Sequence, residues 1–92
     1  TGIHNRDVFP QEDGSFLVDG SANLREINKL FDFELPTDGP KTLNGLIIEQ
    51  MQDIPDVGTT FKLDGMTIEV VKTLQNAVKI AKLTKTDQNR SS

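Results

Sequence analysis

Between Phe61 and Val70 the apolar residues recur at every second position. Phe61 and Leu63 alternate with Lys62, Met66, Ile68 and Val70 alternate with Thr67 and Glu69, and Asp64-Gly65 stands between the two runs. A period of two is the spacing of a strand with one face buried, and Asp-Gly suits the tight turn of a hairpin. This part of the chain is therefore committed to an antiparallel pair. Gln75-Asn76 makes a second turn, after which Val78 and Ile80 begin a last strand. The apolar phase then slips to Ala81 and Leu83, which predicts a β-bulge or a strand crossing a sheet edge.

Upstream the period changes to that of a helix. Asn23 followed by Glu26 is a capping-box pattern, and Leu24, Ile27, Leu30 and Phe31 form an apolar stripe behind it. Leu35 precedes Pro36 and is biased away from helical angles, so this helix ends by then. Thr37 to Lys41 is a breaker-rich loop. Thr42 caps a second helix, in which Leu43, Leu46, Ile47 and Met51 share one face. Gly45 inside it costs roughly 1 kcal/mol against alanine, which predicts that another backbone lies close by. Ile54 before Pro55 is pushed extended, and Pro55 and Gly58 suit the first and last corners of a type I turn.

The N-terminal part reads as two short strands. Asn5 to Phe9 is the first, restricted to an edge or an end by Pro10. Glu12-Asp13-Gly14 turns into Ser15 to Val18, which Asp19-Gly20 closes. The element order is strand, strand, helix, helix, strand, strand, strand. Short turns between consecutive strands predict an α+β fold: a mainly antiparallel sheet of four to five strands with both helices packed on one face. Its core is expected in the three C-terminal strands. Residues 1–12 are read as a lead-in with an edge strand, 13–85 as the domain, and 86–92, which lack an apolar side chain, as a disordered tail. The chain begins at Thr1 and reads as a domain excised from something longer.

Ninety-two residues suffice for one domain with a modest core. A net charge of −4 opposes binding to a phosphate backbone, so nucleic acid is not an expected partner. With no cysteine there is no disulfide or thiolate metal site. The longest apolar run, Leu46-Ile47-Ile48, is far too short to enter a membrane as a helix. Charge is uneven: residues 1–56 carry eleven acidic and four basic side chains, and 57–92 carry three and six. The acidic half could face cations or a basic partner, or be an ordinary solvated surface.

Candidate chemistry is sparse. His4 is the only histidine, so a metal centre would have to be built from carboxylates, which suit hard cations. Asp32, Glu34 and Asp38 cluster in the loop after the first helix, and Asp53 and Asp56 flank Pro55. These are the candidate Mg²⁺ or Ca²⁺ ligands, although the spacing of an EF-hand is absent. The glycines match neither a P-loop nor a dinucleotide fingerprint. No thiol exists, and no serine or threonine has a base nearby in sequence, so no catalytic residue is assigned and an enzyme is not expected.

Five motifs in order carry a resemblance: Asp13-Gly14-Ser15-Phe16-Leu17-Val18-Asp19-Gly20-Ser21, Leu24 to Asn28, Leu35-Pro36, Thr42-Leu43 with Gly45-Leu46-Ile47, and Ile54-Pro55 with Gly58. From about Asp13 to Leu83 the chain resembles the CorC/HlyC transporter-associated domain. The resemblance implies a C-terminal module of a bacterial CBS-domain protein, hemolysin-like or active in magnesium and cobalt efflux, on the cytoplasmic side of the inner membrane. It implies a regulatory role in ion transport through contacts with the CBS pair and membrane region of the parent chain or with a second copy as a homodimer. Its fold is similar to a subdomain of FAD-binding oxidoreductases, with no flavin site carried over and no cofactor expected. The alternative is a small-ligand or divalent-cation sensor using the acidic loop residues. Asp19, Gly20, Leu24, Leu35, Pro36, Thr42, Gly45, Ile54, Pro55 and Gly58 are motif residues read as caps, turns and close contacts.

Overall fold

Seven elements follow the order that the periods dictate. The computed structural model describes residues 8–63 and 65–85. They form β1 (Val8–Pro10), β2 (Phe16–Asp19), α1 (Leu24–Phe31), α2 (Leu43–Met51), β3 (Thr60–Leu63), β4 (Met66–Leu74) and β5 (Ala77–Lys85). His4, the start of the first expected strand, Asp64 of the hairpin turn and the tail 86–92 lie outside the described residues. The five strands make one antiparallel sheet in the order β1-β2-β5-β4-β3. The α+β expectation is met, with one correction. The sheet is centred on β5 between β2 and β4, whereas β3, expected in the core of the sheet, is an edge. A long return from β2 through both helices leaves β5 free to pair on its far side, which local turn signals do not reveal.

Alternation sorts the sheet into two faces. Val8, Val18, Ile68, Val70, Ala81 and Leu83 are buried and share one core cluster with Leu24, Ile27, Leu43, Leu46 and Ile47 from the helices. Each fully buried Leu or Ile contributes roughly 1.5–3 kcal/mol. Leu30 departs from the expected stripe and is 54% exposed. It lies about 120° around the helix axis from Leu24, so Phe31 takes the inward position instead. The expected phase slip in β5 is present. Val70 pairs with Ala81, Lys72 with Ile80 and Thr73 with Val78, so Val71 is the extra residue on β4 and Lys79 on β5. These bulges let Val78 and Ala81 both face inward despite their odd spacing.

The expected turn at Pro55 is displaced by one residue. The Thr59 N–H donates to the Asp56 carbonyl at 3.1 Å, which places Gly58 third in the turn at φ +96°. A positive φ at that corner is the glycine position of a type II turn. Gly45 was expected against a backbone; its nearest neighbour is the Pro40 ring, 3.0 Å from where a Cβ would stand.

Among the described glycines, the tightest approach is at Gly20. A Cβ there would overlap the Val78 carbonyl oxygen. The last registered pair of β2 and β5 is Asp19 with Ile80, so the edge of β5 beyond it needs other partners. Gly20 N–H donates to the Lys79 carbonyl at 2.7 Å, and the Asn44 Oδ1 accepts the Val78 N–H at 2.7 Å. Asn44 N–H in turn donates to the Gly20 carbonyl at 2.7 Å. Gly20→Ala is expected to destabilise the domain by about 1–3 kcal/mol or more through forced backbone displacement. Asn44→Ala should cost about 1–3 kcal/mol, because it leaves the Val78 N–H without its partner. Urea unfolding of both single variants and the double variant measures this, and a sum smaller than the parts is the expected sign of one shared joint.

Candidate functional site

The helix starts and the carboxylates are the polar features that sequence reasoning singled out. Asn23 Oδ1 accepts from Arg25 N–H at 2.9 Å and Glu26 N–H at 3.3 Å, the first half of the capping box. Thr42 Oγ1 accepts from Gly45 N–H at 3.2 Å. The two caps face each other across an isolated antiparallel bridge, with Leu24 N–H on the Lys41 carbonyl at 2.8 Å and Leu43 N–H on the Ala22 carbonyl at 3.1 Å. Both helices thus start side by side. Next to them Asn23, Arg25, Asp38, Pro40 and Lys41 line a hollow of about 460 Å³.

The candidate carboxylates are not gathered. Asp32 closes α1 in the left-handed conformation, and its carbonyl lies 3.4 Å from the Lys85 ammonium. Glu34 and Asp38 are exposed on the following loop, and only Asp38 reaches the hollow by the caps. Asp53 turns its own Oδ1 to the Ile54 N–H at 2.7 Å, while Asp56 supplies a backbone carbonyl to its turn. Among the described residues no three His, Cys, Asp or Glu form a group that could hold a metal ion. Leu24 and Leu35 are core residues, and Pro36, Ile54 and Pro55 are half-buried.

Several organising polar residues went unremarked in the sequence. Asn28 pairs its amide with both backbone groups of Leu35 at 2.9 Å, imitating a strand partner for the loop. Two Asp-Gly-Ser triplets fold alike. Asp13 Oδ1 accepts both the N–H and hydroxyl of Ser15 at 3.0 and 2.6 Å, and Asp19 Oδ1 accepts those of Ser21 at 2.8 and 2.7 Å. The repeated triplet was the signal for these. Asn44, alone among the apolar residues of the first turn of α2, was the signal for the joint. Phe31 stacks on Phe16 and Phe33, at centroid distances of 4.1 and 5.4 Å, and the Lys85 ammonium sits 5.7 Å from the Phe33 ring. Aromatic and charged groups there serve packing at the end of α1.

The opposite face of the sheet is uncovered by helices. Leu17 and Val71 lie there with Glu69 and Lys82, and with Pro10 and Glu12 they border a shallow hollow of about 650 Å³. Lys82 Nζ is 3.5 Å from Asp13 Oδ2.

The two serine-bound carboxyls are tuned below the ordinary aspartate value. For Asp13 the Ser15 hydroxyl and N–H are the main cause, with Lys82 adding to them. For Asp19 partial burial pushes upward, but the Ser21 N–H and hydroxyl together with Lys79 outweigh it. A depressed carboxyl stabilises the fold above its unfolded value of 3.8 and loses that contribution as pH falls through the lower folded value. Carboxyl-detected NMR should therefore place both titration midpoints below 3.8, and the stability owed to these two carboxyls should be lost in that acid window.

These features define a two-layer α+β module with a helix-covered face, an open sheet face and dispersed acids. The CorC_HlyC model, described as a transporter associated domain, matches residues 9–87, and the chain belongs to that family. A UPF0053 protein of Haemophilus influenzae is 46% identical over 81 residues, 88% of this chain and 19% of its own length. The UPF0053 inner membrane protein YfjD of Escherichia coli is 42% identical over 77 residues, 84% of this chain and 18% of its own. The chain thus spans under a fifth of the relatives it matches. Among solved structures, a conserved protein of unknown function from Haemophilus influenzae superposes with TM-score 0.82 at 46% identity, covering 85% of this chain and 96% of that one. The transporter-associated domain of a Xylella fastidiosa hemolysin, solved in complex with Mg²⁺ and Mn²⁺, superposes with TM-score 0.78 at 30% identity, covering 86% and 96%. No described helix is long and apolar enough to cross a membrane.

Proposed function

We propose that this domain is a non-enzymatic regulatory and interaction module of a larger bacterial ion-transport protein, acting through contacts with that protein's CBS pair and membrane region on the cytoplasmic side. The observation that carries the reading is the match to a transporter-associated domain that makes up under a fifth of each relative, one of them an inner membrane protein. The geometry is in keeping with it, since the polar side chains with identified partners are engaged in caps, turns and interlayer bonds. Cross-linking mass spectrometry on the intact parent should join this domain to the CBS region, and deleting the domain should alter ion efflux while leaving membrane insertion intact. An intact parent whose domain forms no cross-link to the rest of the chain would sink the reading.

A second reading, a divalent-cation sensor, draws on the Xylella relative solved with Mg²⁺ and Mn²⁺. Titration of the isotope-labelled chain with Mg²⁺ separates the two. Saturable shifts confined to Asp32–Asp38 or Asp53–Asp56 support the sensor, and diffuse shifts reject it.

A further inference from the structure

A sheet with one covered face ordinarily turns polar side chains to water on the other. Here the uncovered face is polar over much of its area, with Lys62, Lys72 and Lys82 placed on it by the register, but it also carries an apolar strip. Phe9 is 49% exposed, and its cross-strand partner is Leu17. Val71, the extra residue of the β4 bulge, adds to the same face across β5 and is only half-buried. With Leu17 it borders the shallow hollow of about 650 Å³.

The border of that hollow is acidic. Glu12 and Asp13 come from the turn between β1 and β2, Glu69 comes from β4, and Lys82 is the one cation among the lining residues. Lys82 is already engaged with Asp13 at 3.5 Å. Glu12 and Glu69 supply the rest of the negative charge on that border, Glu69 directly across from Lys82. The three acids do not converge into a group that could hold a metal ion. They are spread along a groove, a geometry for several separate cations rather than one.

We propose that this groove docks an extended cationic segment, with lysine or arginine side chains alternating with aliphatic ones. Its aliphatic side chains would cover Leu17 and Val71, its cations would meet Glu12 and Glu69, and the exposed Phe9 ring would offer a face to a further cation. The proposal rests on the interaction-module reading and gives that module a surface and a partner chemistry.

The test is a titration of the isotope-labelled chain with a short peptide of alternating lysine and leucine, followed by NMR. The expected result is saturable shifts confined to Leu17, Glu69, Val71 and Lys82, weakened by added salt. An equivalent peptide of glutamate and leucine should give none. The double variant Glu12→Gln with Glu69→Gln, which changes charge and not shape, should weaken binding roughly three- to tenfold. Absence of a saturable response, an equal response to the acidic peptide, or shifts centred elsewhere would overturn the proposal. So would concentration-dependent shifts on this face without peptide, which would identify a second copy as its occupant. If the peptide fails while the intact parent still cross-links to its domain, the groove is wrong and the module reading survives.

Discussion

The close approach of the Gly20 backbone to the Val78 carbonyl ties the two layers of this domain together. Three hydrogen bonds surround it: Gly20 to Lys79, Asn44 to Gly20 and Val78 to Asn44, all at 2.7 Å. Each such bond contributes only about 0.5–1.5 kcal/mol net, yet leaving one of its buried groups unpaired costs more. The contact works because position 20 has no side chain, and it lets the end of β2 and the start of α2 complete the edge of β5. The Asn23–Thr42 bridge then ties the start of α1 to the start of α2. Both helices are thereby launched from one place, and the irregular loop between them needs little structure beyond the Asn28 clasp on Leu35.

That arrangement leaves the two faces of the sheet with different tasks. The inner face and both helices close a core that includes sixteen buried apolar residues, and Ser15 is buried too, its hydroxyl bonded to Asp13. The outer face carries an apolar strip beside Glu12, Asp13, Glu69 and Lys82. With its core closed, the domain is left with this face, its edges and its loops toward its surroundings. The bulge that presents Val71 outward on β4 neighbours the one at Lys79 on β5 that brings Val78 inward toward Asn44, so the core joint and the outer surface meet at adjacent backbone irregularities.

Much of the fold was legible. Alternation in 61–70 gave the hairpin, the Asn23 and Thr42 caps marked both helix starts, and the slip at Ala81 announced a bulge. Leu30 misled because apolar character counts for less than angular position on so short a helix. The candidate metal ligands clustered in sequence, but among the described residues no three of them gather in space; Asp53 bonds the Ile54 N–H and Asp32 closes α1 through its backbone. Asn28 carried no local signal, and Asn44 among apolar neighbours marked a joint without naming its partner, because an asparagine's partner depends on which backbone group folding brings within about 3 Å.

The sequence by itself determined the number and type of the elements, their polarity and the bulge. These follow from periodicity, caps and turn residues, all of which act within a few residues of the chain. Only the tertiary structure decided that β2 lies against β5, that Gly20 rather than Gly45 is the close contact, and that Leu17, Glu69, Val71 and Lys82 share one surface. Those outcomes join residues dozens of positions apart, and pairing across such distances is selected by the burial of the whole core rather than by any local preference.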